Sequence, residues 1–153
     1  MKKFLALSLI GTLALASCNQ ANVTGSAKTY AFAAQAQAGY STQAGTASRA
    51  DLNTGDTSTV LKATGLKPST AYIAHYHVAG TDTSKGVCAS GGAVQNGLIG
   101  GTPVTSDASG TLTIKGLAST ADIAATSVKY INIHESATPS VVPLCADLTV
   151  AAK

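Results

Sequence analysis

The sequence is poor in charged and aromatic residues. Of its 153 residues 11% are charged and 5% are aromatic, and there is no Trp. Coiled coils and disordered acidic or basic tails are rich in charge, so the composition excludes both classes. The formal charge of +3 includes Lys2 and Lys3, without which eight cations face seven anions. A nearly neutral chain lacks the cationic surface that nucleic acid requires, and we expect no nucleic-acid partner.

The N-terminus has the features of an export signal. Lys2 and Lys3 precede an apolar run at residues 4–16, which is too short to span a bilayer as a helix. The run ends in Leu15-Ala16-Ser17-Cys18, the pattern of bacterial lipoprotein signals, in which the Cys is acylated and becomes the new N-terminus. The alternative is an ordinary secretory signal that leaves Cys18 as a free thiol.

The signal divides the chain into three parts. We predict a lipoprotein signal peptide at 1–18, a flexible tether at 19–27 and one folded domain at 28–153. The protein would then be exported and anchored in the bacterial cell envelope, on the periplasmic side or at the cell surface. Its contact with the membrane would be made through the lipid on Cys18 alone.

Cysteine usage agrees with export. Of the three Cys, Cys88 and Cys145 remain as a pair if Cys18 carries lipid, in a compartment where disulfides persist. A bridge between them would close a loop of about sixty residues and stabilise the fold by about 4 kcal/mol. The alternative is that both thiolates bind a metal, although CxxC spacing is absent.

The domain has the pattern of an all-β fold. Short segments rich in Val, Ile, Thr and Tyr alternate with clusters of Gly, Asp, Ser and Pro, and we predict a Greek-key β-barrel or sandwich of about eight antiparallel strands. The turn Asp107-Ala108-Ser109-Gly110 predicts a hairpin, and Gly-rich residues 80–101 predict a long loop held by Cys88. The predicted strands are 30–36, one after Tyr40, 59–66, 70–78, 103–105, 111–116, 127–134 and 144–151.

Two of the three histidines share one strand. His75 and His77 flank Tyr76, and side chains two residues apart on a strand point to the same face. Apolar residues alternate on the opposite face, so we expect Tyr76 in the core and both imidazoles outside it. Neutral imidazole is the commonest metal ligand and suits Cu and Zn. A pair of exposed polar side chains is the alternative interpretation.

The third histidine ends another predicted strand. Ile131 and Ile133 fit a buried face, which leaves His134 on the opposite one. Asn132 shares the face of His134 and is a candidate to hydrogen-bond and orient an imidazole. Every His of the chain is therefore predicted to lie outside the core.

Five segments, in order along about residues 60–150, resemble motifs of the copper/zinc superoxide dismutase family. The segments are Ala74-His75-Tyr76-His77, which follows the turn at Pro68 and is similar to H-G-F-H-x-H; Gly86-Val87-Cys88-Ala89-Ser90-Gly91-Gly92, similar to G-C-x-S-A-G; Asp107-Ala108-Ser109-Gly110-Thr111, similar to A-D-x-x-G; Tyr130-Ile131-Asn132-Ile133-His134-Glu135, similar to L-V-V-H-E; and Leu144-Cys145-Ala146, similar to L-A-C-G. The resemblance implies a superoxide-dismutase-like barrel, one copper ion on His75, His77 and His134, and a Cys88–Cys145 disulfide.

The sequence also departs from that family. Ala93-Val94 stands where the family has its metal-bridging His, and the other zinc ligands have no counterpart. Val142 occupies the place of the Arg that binds superoxide, and both functional loops are short. The resemblance thus implies a zinc-less, copper-only relative, which we expect to be monomeric. The segment from Tyr130 to His134 also fits the Y-x-N-x-H ending of CHRD domains.

Four functions follow from these observations. The first is an exported, copper-binding lipoprotein that dismutates superoxide, with reduced activity. The second is a non-catalytic copper-binding module for scavenging or delivery at the cell surface. A zinc site of the hydratase kind is the third, since three His on neighbouring strands also describe catalytic zinc. A structural or adhesive module with vestigial histidines is the fourth.

Overall fold

The protein folds as an antiparallel β-barrel. The structure, a computed structural model, describes residues 22–152, so the predicted signal peptide, Cys18 and the start of the predicted tether lie outside the described residues. The elements in chain order are β1 (Lys28–Ala34), β2 (Ala44–Asp51), β3 (Asp56–Thr64), β4 (Ala71–His77), a 3-10 turn (Val87–Ala89), β5 (Val94–Leu98), β6 (Val104–Thr105), β7 (Leu112–Ser119), α1 (Thr120–Ala125), β8 (Tyr130–Glu135) and β9 (Leu144–Asp147).

Eight strands form one continuous sheet in the order β5-β4-β8-β9-β1-β2-β3-β7, and the two-residue β6 pairs with β4. The links from β3 to β4 and from β7 to β8 pass over other strands, as in a Greek key. The two ends of the sheet nearly meet. Gly116 on β7 lies so close to Gly100, just beyond β5, that a Cβ atom at residue 116 would be 2.6 Å from the Gly100 nitrogen. The predicted all-β, eight-stranded fold is confirmed.

Period-two alternation builds the core. On each strand every second side chain points into the barrel, as on β3, where Thr57, Thr59, Leu61 and Ala63 are buried between more exposed neighbours. The inner side chains of β4 and β8 belong to the same apolar cluster: Tyr72, Ala74, Tyr76, Ile131 and Ile133. The prediction that Tyr76 packs in the core is confirmed, and the three histidines lie outside this cluster.

Two sequence predictions of local structure were wrong. The residues flanking the Asp107 turn do not pair with each other as a hairpin, since β6 pairs with β4 and β7 pairs with β3. The turn itself forms, with Asp107 Oδ1 accepting the N–H groups of Ser109 and Thr111 at 2.8 Å each. The predicted long loop at 80–101 contains the strand β5, which pairs with β4.

The start of the described chain contacts the barrel. Val23 bridges Leu52, and Thr24 N donates to Asp51 O at 2.7 Å, so these tether residues lie along the β2–β3 turn. Within residues 22–152 no helix has the length and apolar character that crossing a membrane would require. The signal, tether and domain boundaries stay predictions.

Candidate metal centre

The three histidines meet on the outer face of two adjacent strands. β4 and β8 pair antiparallel, which places His75 opposite Asn132, His77 opposite Tyr130 and Ile73 opposite His134. The ring centroid of His134 lies 5.0 Å from that of His75 and 5.9 Å from that of His77. Pairing of two distant segments therefore brings together all the imidazoles that the sequence contains.

The face is outside the barrel but sheltered. His77 is 6% exposed and His134 is 8% exposed, while His75 is half-buried. Both faces of β8 are buried, because loops cover the outer one. The sequence predicted the correct face but not this cover, since alternation along a strand says nothing about which loop lies above it.

Main-chain carbonyls fix two of the imidazoles. His77 Nδ1 lies 2.9 Å from the carbonyl oxygen of Gly92, and His134 Nδ1 lies 2.6 Å from that of Pro139. A carbonyl oxygen accepts only, so both Nδ1 atoms carry the proton and each Nε2 keeps a free lone pair.

Three ring nitrogens are left without partners. His75 Nδ1, His77 Nε2 and His134 Nε2 are buried and make no hydrogen bond among the described residues. One ligand atom from each ring lies within 4.8 Å of the others. Three nitrogens bound to one ion at about 2.0 Å are at most about 4 Å apart, so side-chain shifts of about 1 Å would bring one nitrogen of each ring to bonding distance. The cluster can therefore hold a metal ion.

Burial keeps these rings neutral. Burial, with smaller contributions from His134 and His77, lowers the pKa of His75 to about 4. Burial also lowers the pKa of His77, against the opposing hydrogen bond to Gly92, and that of His134, against the bond to Pro139. Neutral imidazole is the form that binds metals, so the site is prepared for a cation near pH 7.

Tyr130 supports His77 from the neighbouring strand. Its ring stacks on the imidazole with centroids 4.6 Å apart and an interplanar angle of 8°. Its hydroxyl accepts the Gly92 N–H at 2.9 Å. Tyr130 and Gly92 thus bind each other and both contact the His77 ring. Tyr130 stacks on the ring, and the Gly92 carbonyl accepts its Nδ1–H. A side chain at residue 92 would collide with the Val78 carbonyl oxygen, so this approach requires glycine.

The disulfide holds the loop that carries Gly92. Cys88 and Cys145 are bonded, which joins the 3-10 turn to β9. Cys145 pairs with Asn132, which in turn pairs with His75, so the bridge lies one strand from His134 and two strands from His75 and His77. A disulfide is typical of extracytoplasmic proteins.

Asn132 occupies the middle of this face. It is 7% exposed, and its Oδ1 has no hydrogen-bond partner among the described residues. The orienting bonds to His77 and His134 come instead from Gly92 and Pro139. The orienting role expected of Asn132 stays a prediction.

Glu135 belongs to a separate network at the end of β8. Its carboxylate accepts the Tyr40 hydroxyl and the Lys67 ammonium at 2.6 Å each. The Tyr40 hydroxyl also lies 2.8 Å from that of Tyr72, whose side chain is in the core. These hydrogen bonds, that from Lys67 foremost, lower the pKa of Glu135.

Sequence patterns located part of this centre. They placed the histidines on the correct faces and left Cys88 and Cys145 as a pair. They missed Tyr130, which alternation could have found because it lies two residues before Asn132 and four before His134. The carbonyls of Gly92 and Pro139 carry no sequence signal, since any residue has one.

Fold and site together define the class: a nearly closed eight-stranded antiparallel barrel with a three-histidine cluster on its outer face and one disulfide. No family model matches the sequence, and no curated protein matches it either.

Proposed function

We propose that this protein binds one copper ion through His75, His77 and His134 and acts as an exported, dismutase-like lipoprotein. The observation that carries the proposal is the meeting of three buried, unpartnered imidazole nitrogens on one face. Divalent ions bind such nitrogen sites in the Irving–Williams order, in which copper is the strongest, and copper tolerates three imidazoles in both oxidation states. The sequence resemblance to copper/zinc superoxide dismutases supports the same metal.

Bound copper would supply one-electron redox chemistry. In dismutation one superoxide gives up an electron and leaves as O2, while a second takes up that electron and two protons and leaves as H2O2. The chain's part is to hold the ion, with neutral rings fixed by Gly92, Pro139 and Tyr130. Solvent reaching the partly exposed His75 would deliver the protons.

A second function, copper scavenging or delivery without turnover, is favoured by the surroundings of the imidazoles. The described groups that contact them, from Gly92, Tyr130 and Pro139, are uncharged. A cationic group that would attract superoxide is therefore missing from these contacts. The burial of His77 and His134 also restricts access to an ion between them.

Two measurements on purified protein decide between these functions. Copper binding is measured by titration and superoxide removal by a rate assay, for the wild type, His134→Ala and the control Glu135→Gln, whose carboxylate lies in the separate network. Stoichiometric binding with turnover, both lost in His134→Ala alone, supports the dismutase. Binding without turnover supports scavenging or delivery, and absence of copper binding refutes both.

A further inference from the structure

Unpartnered acceptor atoms are concentrated on the outer face of β4 and β8. Within residues 22–152, six buried side-chain nitrogen or oxygen atoms make no hydrogen bond, and four belong to His75, His77, Asn132 and His134. With the Nδ1–H tautomers of His77 and His134, the free Nε2 atoms are lone-pair acceptors, and an amide oxygen always is. Acceptors gathered without donors repel one another unless a cation lies between them.

The position of Asn132 would bring its side chain close to a cation held by the histidines. It pairs directly with His75, and side chains opposite each other on antiparallel strands have Cβ atoms about 4.5–5.5 Å apart. The buried, unpartnered nitrogen of His75 is Nδ1, the ring nitrogen nearer its own Cβ. An ion bound there would lie near the strand backbone, within reach of the short Asn132 side chain.

The burial of Asn132 needs a compensating partner. The residue is 7% exposed, and a buried amide oxygen without a hydrogen bond destabilises a fold. An apolar side chain would suit this covered face better. The amide oxygen of Asn132 destabilises the metal-free fold, and its presence is explained if it binds the metal in the metal-bound protein.

We propose that Asn132 Oδ1 is a fourth donor of the site, which makes it a three-nitrogen, one-oxygen centre. This inference rests on the proposed copper binding. Carboxamide oxygen is a hard ligand that suits Cu(II) better than Cu(I). Asn132 therefore tightens Cu(II) binding selectively and holds the reduction potential of the centre down.

The test replaces Asn132 with Leu, which has similar volume and no donor, and with Asp, which keeps an oxygen donor. Cu(II) and Cu(I) affinities, the Cu(II) EPR spectrum and thermal unfolding of the metal-free protein are measured. For Asn132→Leu we expect Cu(II) affinity to fall by about 10–100-fold, with a smaller change for Cu(I). The metal-free variant should unfold at a higher temperature than the wild type, which a merely structural role of Asn132 would not produce.

Asn132→Asp keeps the proposal testable if the Leu variant does not fold. The carboxylate oxygen should retain Cu(II) binding, favour Cu(II) over Cu(I) further, and shift the EPR parameters. An unchanged spectrum and an unchanged Cu(II) affinity in either folded variant would overturn the role of Asn132 and leave the three-imidazole site standing. A wild type that binds no copper would refute the proposed function itself.

Discussion

At the scale of single residues, two of the three rings of the cluster are held by contacts that depend on the fold. His77 is fixed by the carbonyl of Gly92 and the ring of Tyr130, and His134 by the carbonyl of Pro139. These contacts set the tautomer and leave a free lone pair directed away from each hydrogen bond. Burial then keeps the rings neutral, so position and protonation state have the same structural origin.

The lowered pKa values make the metal-free protein sensitive to mild acid. Each folded-state pKa lies below the unfolded value of 6.5. At pH values between the two pKa values, the unfolded chain therefore binds more protons than the folded protein. The free energy of unfolding should therefore fall as the pH drops from about 6.5 towards the folded-state pKa of about 4 for His75. Urea unfolding across this range measures the slope, which should be shallower in His75→Asn. Equal slopes in both proteins would contradict the assignment.

Tyr130 should matter for metal binding although it is no ligand. Tyr130→Leu removes both the stacked ring and the acceptor of the Gly92 N–H, so we expect copper affinity to fall by about 10–100-fold. Tyr130→Phe keeps the ring and should lose less. Copper titration with a competing chelator measures both, and a Phe variant as weak as the Leu variant would assign the effect to the hydroxyl alone.

At the scale of elements, the site depends on the pairing of β4 with β8. The alternation of Ile131 and Ile133 with His134 predicted which face of the strand packs on the core, because such a pattern depends only on neighbouring residues in the sequence. It could not predict that these strands are neighbours, since β4 and β8 are separated in the chain by β5, β6, β7 and α1. The family resemblance supplied that link.

The local errors have physical causes at this scale. β5 was missed because residues 80–101 are rich in Gly and lack period-two alternation. Its Asn96 and Gly97 both have positive φ, a conformation that is typical of turns. The hairpin at the Asp107 turn was wrongly predicted because β6 and β7 lie on opposite sides of the seam where the barrel nearly closes. β6 instead pairs with β4, and β7 pairs with β3.

The disulfide links two elements that the site needs. Replacing Cys88 and Cys145 by Ser opens a loop of 57 residues, for which chain entropy gives about 4 kcal/mol of lost stability. The freed loop carries Gly92, so copper affinity should fall as well. Urea unfolding and copper titration of the double variant measure both effects. Lost stability with unchanged affinity would show that the Gly92 contact survives without the bridge.

At the scale of the whole molecule, the apolar core and the histidine cluster occupy opposite sides of the same strands. The apolar cluster fills the interior, whereas the imidazoles lie on the outer face of two strands under their own loops. All three rings therefore project from neighbouring strands of one hydrogen-bonded sheet, which limits how far they can move apart.

Copper should stabilise the whole barrel by mass action. A ligand that binds the folded state alone at about 100 times its Kd adds about 2.7 kcal/mol to the free energy of unfolding. Thermal unfolding should accordingly shift upward with added copper in the wild type. His134→Ala should lose most of this shift, while Glu135→Gln should keep it. A copper-induced shift of the same size in His134→Ala would place the binding elsewhere.

The most direct test of the three-imidazole centre is Cu(II) EPR, together with metal analysis, on the wild-type protein loaded with copper. We expect one copper per chain and nitrogen hyperfine structure from three imidazoles. Substoichiometric copper, or a spectrum without imidazole nitrogen, would contradict the account.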